Sequence, residues 1–321
     1  MNRKLGIGSA LAAAAMLVAS NAAASDLLKV ASGGHGNWDS SPCEVGNRAG
    51  IFKKHGIDLD ILYTAGSGET LQAVISGAAD IGIALGTGSV MGAYVKGAPI
   101  RVIGAVTTGA NDVYWYVRSN SPLKRIDDAK AQTTIAYSSS GSSTFVLAQE
   151  ILKVHHVNAT PTRTGGPAGT LTQVMSGQID IGYATAPFAL KQVGEGQIRV
   201  VAHGGEIPGA DDQTVRVITV NAKKLAANRD LIARFMRAYA ETVDWMYSDP
   251  KALEVYSAYS KVPVGIAKQG MTEFYSQKML DPYRISGLDQ VMADSIKLKL
   301  LKSALTTDQI TDLFQVPRPS K

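Results

Sequence analysis

Between Tyr137 and Phe145 the chain reads Ser138-Ser139-Ser140-Gly141-Ser142-Ser143-Thr144, a loop of short hydroxyls and backbone N–H groups. Val146, Leu147, Ile151 and Leu152 follow as an apolar stripe at helical spacing. A helix beginning there offers unpaired N–H groups and the positive end of its dipole, both of which favour an anion. Ser139, Ser140, Gly141, Ser142, Ser143 and Thr144 are therefore candidate ligand contacts; a plain serine-rich cap is the other reading. Gly33-Gly34-His35-Gly36-Asn37-Trp38 is a second such loop. His35 and Asn37 bring polar groups, and Trp38 has a large face with one donor, suited to covering a ligand or to filling a lobe surface. Gly86-Thr87-Gly88-Ser89 is a third, in which Thr87, Gly88 and Ser89 offer hydroxyl and N–H contacts or simply make a turn. It is not a dinucleotide fingerprint, because Met91 stands where the third glycine belongs. Gly68 and Thr185, in loops of matching position, complete the candidate set.

Nothing here suggests turnover. The chain has no G-x-S-x-G, H-E-x-x-H or C-x-x-C. His155 and His156 are adjacent, so on any regular element they point apart and cannot clamp one metal. Asp58 and Asp60 share one side of a strand and read as a solvated face. No catalytic residue, metal site or cofactor is expected.

The elements that must position these loops are written twice. Leu71 to Ala84 reads LQAVISGAADIGIA, and Leu171 to Ala184 reads LTQVMSGQIDIGYA, with eight of fourteen positions identical. Leu71, Val74 and Ile75, like Leu171, Val174 and Met175, make one helical stripe. Gly77 and Gly177 suit the left-handed position that ends a helix. A short strand apolar on both faces follows, as a helix-covered parallel sheet requires. The correspondence extends upstream without a gap: strand 57–62 matches 157–162, and loop 64–68 matches 164–168. Each half also opens on a strand and a small-residue loop. The spacing predicts two α/β lobes, each a strand–loop–helix–strand–loop–helix–strand unit. The boundaries expected are 25–112 with 217–321 for lobe 1 and 113–216 for lobe 2, with segments 111–117 and 214–220 crossing between them. Ser41-Pro42-Cys43-Glu44 and Thr306-Thr307-Asp308-Gln309 read as capped helix starts. The helical tail has no repeat partner and is expected to pack on lobe 1.

Asn2, Arg3 and Lys4 precede an apolar, small-residue run, and Ala22-Ala23-Ala24 stands before Ser25. That pattern predicts a secretory signal peptide over residues 1–24. Its removal lowers the net charge from +5 to +3, and no basic run or basic-aromatic stripe suggests nucleic acid. One cysteine, Cys43, cannot make an internal disulfide. No later apolar stretch reaches the roughly 18 residues of a spanning helix.

Ala49-Gly50-Ile51-Phe52-Lys53-Lys54-His55-Gly56-Ile57-Asp58-Leu59, then Ser76-Gly77-Ala78-Ala79-Asp80-Ile81-Gly82, and later Trp245 to Ala252, resemble the solute-binding proteins of ABC importers for nitrate, sulfonate and taurine. That group shares a fold with the thiamine-pyrimidine precursor binding proteins. The resemblance covers nearly the whole mature chain. It implies a two-lobed type II periplasmic-binding-protein fold, each lobe a mixed sheet flanked by helices, with two hinge crossings. It also implies periplasmic capture of a small, anionic solute in the cleft between the lobes, by a monomer that delivers to an ABC permease. Relatives carry an acid just before the proline that is Pro187 here; Ala186 in that place argues against an amine-bearing ligand. A sensory ligand-binding subunit, and an enzyme on the same fold such as a menaquinone-pathway dehydratase, are the alternatives.

Overall fold

The computed structural model describes residues 25–317; the expected signal peptide, residues 1–24, lies outside them. In chain order the elements are β1 (Asp26–Gly33), α1 (Pro42–Arg48), α2 (Ile51–Lys54), β2 (Ile57–Thr64), α3 (Ser67–Ser76), β3 (Ile81–Gly86), α4 (Thr87–Val95), β4 (Ile100–Thr108) and β5 (Val113–Arg118). Then come β6 (Thr134–Tyr137), α5 (Ser143–Val154), β7 (Thr160–Arg163), α6 (Pro167–Ser176), β8 (Gly182–Thr185), α7 (Leu190–Gly194), β9 (Ile198–His203) and β10 (Thr214–Asn221). The tail holds α8 (Ala222–Ala227), α9 (Arg229–Ser248), α10 (Lys251–Ser260), α11 (Val264–Phe274), α12 (Leu288–Lys297) and α13 (Thr307–Leu313). None of the helices among the described residues is long and apolar enough to cross a membrane.

The first sheet runs β2-β1-β3-β10-β4. β1 is parallel to β2 and β3, whereas β10 is antiparallel to β3 and β4. In the second lobe β6 is parallel to β7, and β5 is antiparallel to β8 and β9. Ile135 on β6 bridges Ile181 at the start of β8, with Ile181 N–H donating to Thr134 O at 3.0 Å. Joined there, the second lobe reads β7-β6-β8-β5-β9. This is the first order again, with β5 in the place of β10. The two-lobed α/β fold with mixed sheets is thus present, and the strand order is that of the type II periplasmic-binding-protein fold.

The repeated residues have repeated jobs. Gly77 and Gly177 end α3 and α6 at φ 78° and 80°, a left-handed conformation that costs a side-chain-bearing residue about 1–2 kcal/mol. Val74 and Val174 are fully buried. Each presses on the strand that follows its helix. A Cβ on Gly82 would lie 2.8 Å from Val74 Cγ2, and one on Gly182 would lie 2.7 Å from Val174 Cγ2. Hydrogen in place of a side chain lets helix and strand touch. Asp80 and Asp180 tie the strand start to its neighbour: their carboxylates accept from Lys29 N–H at 3.0 Å and Thr134 N–H at 2.9 Å.

The two lobe crossings come earlier than expected, starting two residues before the first expected segment and ten before the second. They are 109–112 and 204–213; most of 111–117 and all of 214–220 lie inside the sheets as β5 and β10. The crossings run side by side, Gly109 N–H donating to Gln213 O at 2.9 Å. The Thr306 capping box forms, Gln309 N–H reaching Thr306 Oγ at 3.2 Å. The Ser41 cap does not, because Ser41 Oγ turns back to Trp38 O at 2.8 Å and Glu44 is taken by Arg48 and Tyr63. The tail packs on the first lobe through α9, whose Ile232, Phe235, Met236 and Tyr239 are buried, and through a Val102–Phe314 bridge. It also reaches the second lobe: the Gly270 Cβ position on α11 meets Pro187, and Tyr275 donates to Ala186 O at 2.9 Å.

Candidate functional site

The loops at the strand ends of the two lobes meet across one polar cavity of about 50 Å³. That is room for roughly four waters. Three helix N-termini converge on it: Ser67 of α3 from the first lobe, and Ser143 of α5 and Pro167 of α6 from the second. α3 and α6 are the repeated helices, so the repeat delivers equivalent ends from opposite sides. Their lead-in loops are braced alike, by a Thr64–Thr70 hydroxyl pair at 2.7 Å and a Thr164–Thr170 pair at 2.6 Å. The first N–H groups of each helix have no carbonyl one turn back. Ser142 caps α5 by accepting from Phe145 N–H at 3.1 Å, which leaves the N–H groups before Phe145 for another partner.

Asn37, Ser142, Ser143, Thr144 and Thr185 line this cavity, as the sequence suggests. Ser139 sits at the lobe contact, its Oγ 3.6 Å from where Cβ atoms on Gly66 and Gly68 would be. The Ser139 and Thr185 hydroxyls are buried without a protein partner. Other candidates fall elsewhere. Trp38 is fully buried in the first-lobe core, its ring 4.8 Å from Tyr256 and its N–H 3.4 Å from the Tyr247 hydroxyl, so it covers no ligand. A large aromatic in a small-residue loop is here a plug for the tail. His35 is exposed and wedged between Tyr63 and Tyr259 at 4.7 and 4.8 Å. Ser140 is exposed. Thr87, Gly88 and Gly141 line a separate, mostly apolar void on the other side of β10, where Thr87 Oγ donates to Thr214 O at 2.6 Å. Ser89 crosses the cleft to Gly141 O at 2.5 Å.

Local sequence patterns missed the charged residues of the site. Arg216, on β10, is 4% exposed, and it lines the cavity with Asp39. Its Nη1 donates to Asp39 Oδ2 at 2.8 Å and to Asp112 Oδ2 at 2.6 Å, and its Nε to Ser143 Oγ at 2.9 Å. One guanidinium thus joins the α1 lead-in, a lobe crossing, the returning strand and the second lobe. Burial works against the Arg216 charge, but Asp112 and Asp39 more than offset it, and the group stays firmly protonated. Burial raises the Asp112 carboxyl above its usual range, against the pull of Arg216. Nη2 of Arg216 and Oδ1 of Asp39 have no partner. A signal existed: Thr214-Val215-Arg216-Val217-Ile218-Thr219-Val220 sets one arginine in a β-branched run, and a charge on a buried strand must be paired. Tyr183, Gly34 and Gly166 also line the cavity unforeseen. Among the described residues no His, Cys, Asp and Glu group is arranged to hold a metal ion, and Cys43 is a buried thiol pushed up by burial, unsuited to reaction.

Solved structures share this fold. The alkanesulfonate-binding protein SsuA from Xanthomonas axonopodis pv. citri, bound to MOPS, superposes with a TM-score of 0.75 at 17% identity, covering 90% of this chain and 99% of that one. The periplasmic nitrate-binding protein NrtA from Synechocystis PCC 6803 gives 0.72 at 15% identity, covering 91% and 86%. The periplasmic aliphatic sulphonate binding protein SsuA from Escherichia coli gives 0.70 at 16%, covering 92% and 94%. No curated protein matches the chain in sequence. Residues 37–253, most of the two lobes and the first part of the tail, match the family described as NMT1/THI5 like, and the chain belongs to that family.

Proposed function

We propose that the protein is an exported, non-catalytic solute-binding protein that captures a small solute with an anionic group between its lobes and hands it to an ABC permease. The observation that carries this is the cavity between the lobes, lined by three helix N-termini and by buried polar residues. Helix ends attract anions without needing a counter-charge, and a void for about four waters suits a compact ligand. Asn37, Ser142, Ser143, Thr144 and Thr185 are the proposed contacts that the sequence itself suggests, joined by Asp39 and Arg216. The sulfonate- and nitrate-binding proteins that share the fold support the anion reading. The basic, apolar N-terminus supports export to the periplasm.

A thermal-shift screen of nitrate, short alkanesulfonates and short carboxylates tests it. A true ligand at 100 times its Kd adds about 2.7 kcal/mol of stability. No stabilisation by any of the three classes would overturn the reading.

A further inference from the structure

Two buried carboxylates share one guanidinium nitrogen at the back of the cavity. Arg216 Nη1 donates to Asp39 Oδ2 at 2.8 Å and to Asp112 Oδ2 at 2.6 Å, and none of the three residues is more than 4% exposed. Arg216 lines the cavity with Ser143; Asp112 stands behind it. One cation between two ionised carboxylates leaves a net negative charge where charge is costly to bury. A single proton cancels it. Asp112 is the place for that proton, because the residue is wholly shielded and burial raises its carboxyl against the pull of Arg216. The other groups that face Asp112 do not compete. The Tyr275 hydroxyl, 3.4 Å from Oδ2, is kept neutral by its own burial. From the second lobe Asp112 meets backbone, Ala186 N–H donating to Asp112 O at 2.9 Å.

Ser143 joins this cluster to the cavity. Its Oγ accepts from Arg216 Nε at 2.9 Å. A hydroxyl also has a hydrogen to give, and among the described residues that hydrogen meets no protein acceptor. An anion at the start of α5 can take it, and then stands one side chain away from Arg216. It adds a negative charge that the same guanidinium must balance, and a like charge drives a neighbouring carboxyl toward its neutral form.

We propose that the solute is captured together with a proton: an anion bound at the start of α5 draws a proton from bulk water onto Asp112, through Ser143 and Arg216. This rests on the cleft being an anion site, and it adds how pH regulates that site. Where Asp112 is already neutral the anion binds at full strength. Where it is ionised, at higher pH, its charge opposes the anion. A shift of about one unit in Asp112 on binding makes Kd rise about tenfold from the acid to the alkaline side, with uptake peaking at about half a proton per solute.

Nitrate, ethanesulfonate and formate are suitable probes, because all three stay ionised from about pH 5 to about pH 9 and any proton bound must go to the protein. Each is added to the full mature protein in a pH-stat, and Kd is followed by calorimetry over the same range. Acid is expected to be needed to hold the pH as the probe binds. Asp112→Asn is expected to abolish that uptake and to keep Kd near the wild-type acid-side value at every pH. The infrared difference spectrum of the wild-type protein, which needs no variant, is expected to gain the C=O stretch of a protonated carboxyl on binding. Binding without uptake at any pH overturns the inference alone. So does uptake without that band, which places the proton on histidine, and so does unchanged uptake in folded Asp112→Asn. Failure of all three probes to bind overturns the anion site and the inference with it.

Discussion

Asp112 carries its carboxylate where it is fully shielded from solvent, and that has a measurable sign. Burial raises the group, Arg216 lowers it, and Asp39 adds like-charge repulsion. An acid held above its unfolded value binds its proton more tightly in the native state. Its contribution to stability therefore falls as pH climbs from the unfolded value near ~3.9 through the folded one. Asp112→Asn lacks that proton. The unfolding free energy of the variant relative to wild type is expected to improve between pH 4 and pH 7, by up to about 1.4 kcal/mol per pH unit spanned. Denaturant melts at the two pH values decide it, and a constant difference would refute the assignment. The same cluster shows what single residues conceal in a sequence. Asp39 and Asp112 stand 177 and 104 positions before Arg216, and no periodicity links the three. Only the return of β10 between β3 and β4 brings the three together. The serine loop was legible because its chemistry is contiguous. Trp38 stayed ambiguous because a loop tryptophan looks the same whether its face meets ligand or core.

At the level of the element, the repeat carried most of the fold. Helix stripe, stopping glycine and two-sided apolar strand each follow from local sequence, and each lobe assembles them in the same order. The crossings were legible only to within about ten residues, because a β-branched segment reads identically in a hinge and in a sheet. A consequence of the repeat is that its two copies should respond alike. Gly77 has open space around its missing side chain, and Gly177 faces only the end of the Arg118 side chain. Gly77→Ala and Gly177→Ala should therefore each cost little beyond the backbone penalty, about 1–2 kcal/mol, and the two should add, since they lie in different lobes. Chemical denaturation of the single and double variants checks this. A null effect at Gly77 would mean that α3 does not end in the left-handed turn.

At the scale of the whole molecule, the two lobes touch across the cleft, through Ser89 to Gly141 and Arg216 to Ser143. Gly86 sits at the seam. Its backbone is unstrained for any residue, at φ −62° and ψ 123°. Yet a Cβ there would lie 2.9 Å from Gly141 O and 3.0 Å from Ser143 N, both backbone atoms of the opposite lobe. Side chains yield readily to such a wedge; backbone does not. Gly86→Ala should therefore leave each lobe intact and prop the cleft open. On the expectation that ligand is held in a closed cleft, the apparent Kd of Gly86→Ala rises by the factor by which closure becomes rarer. If the wedge costs about 1.4–2.8 kcal/mol, affinity falls about 10- to 100-fold. The ligand-free melting temperature should change little, provided that the free protein rests open. Small-angle scattering separates this from a damaged pocket: the wild-type radius of gyration falls on saturation, whereas the variant at the same ligand concentration stays near its free value. Closure is a two-state balance that ligand can tip only by its preference for one state. A variant that binds and compacts like wild type would show that the lobes do not meet at Gly86 when ligand is held.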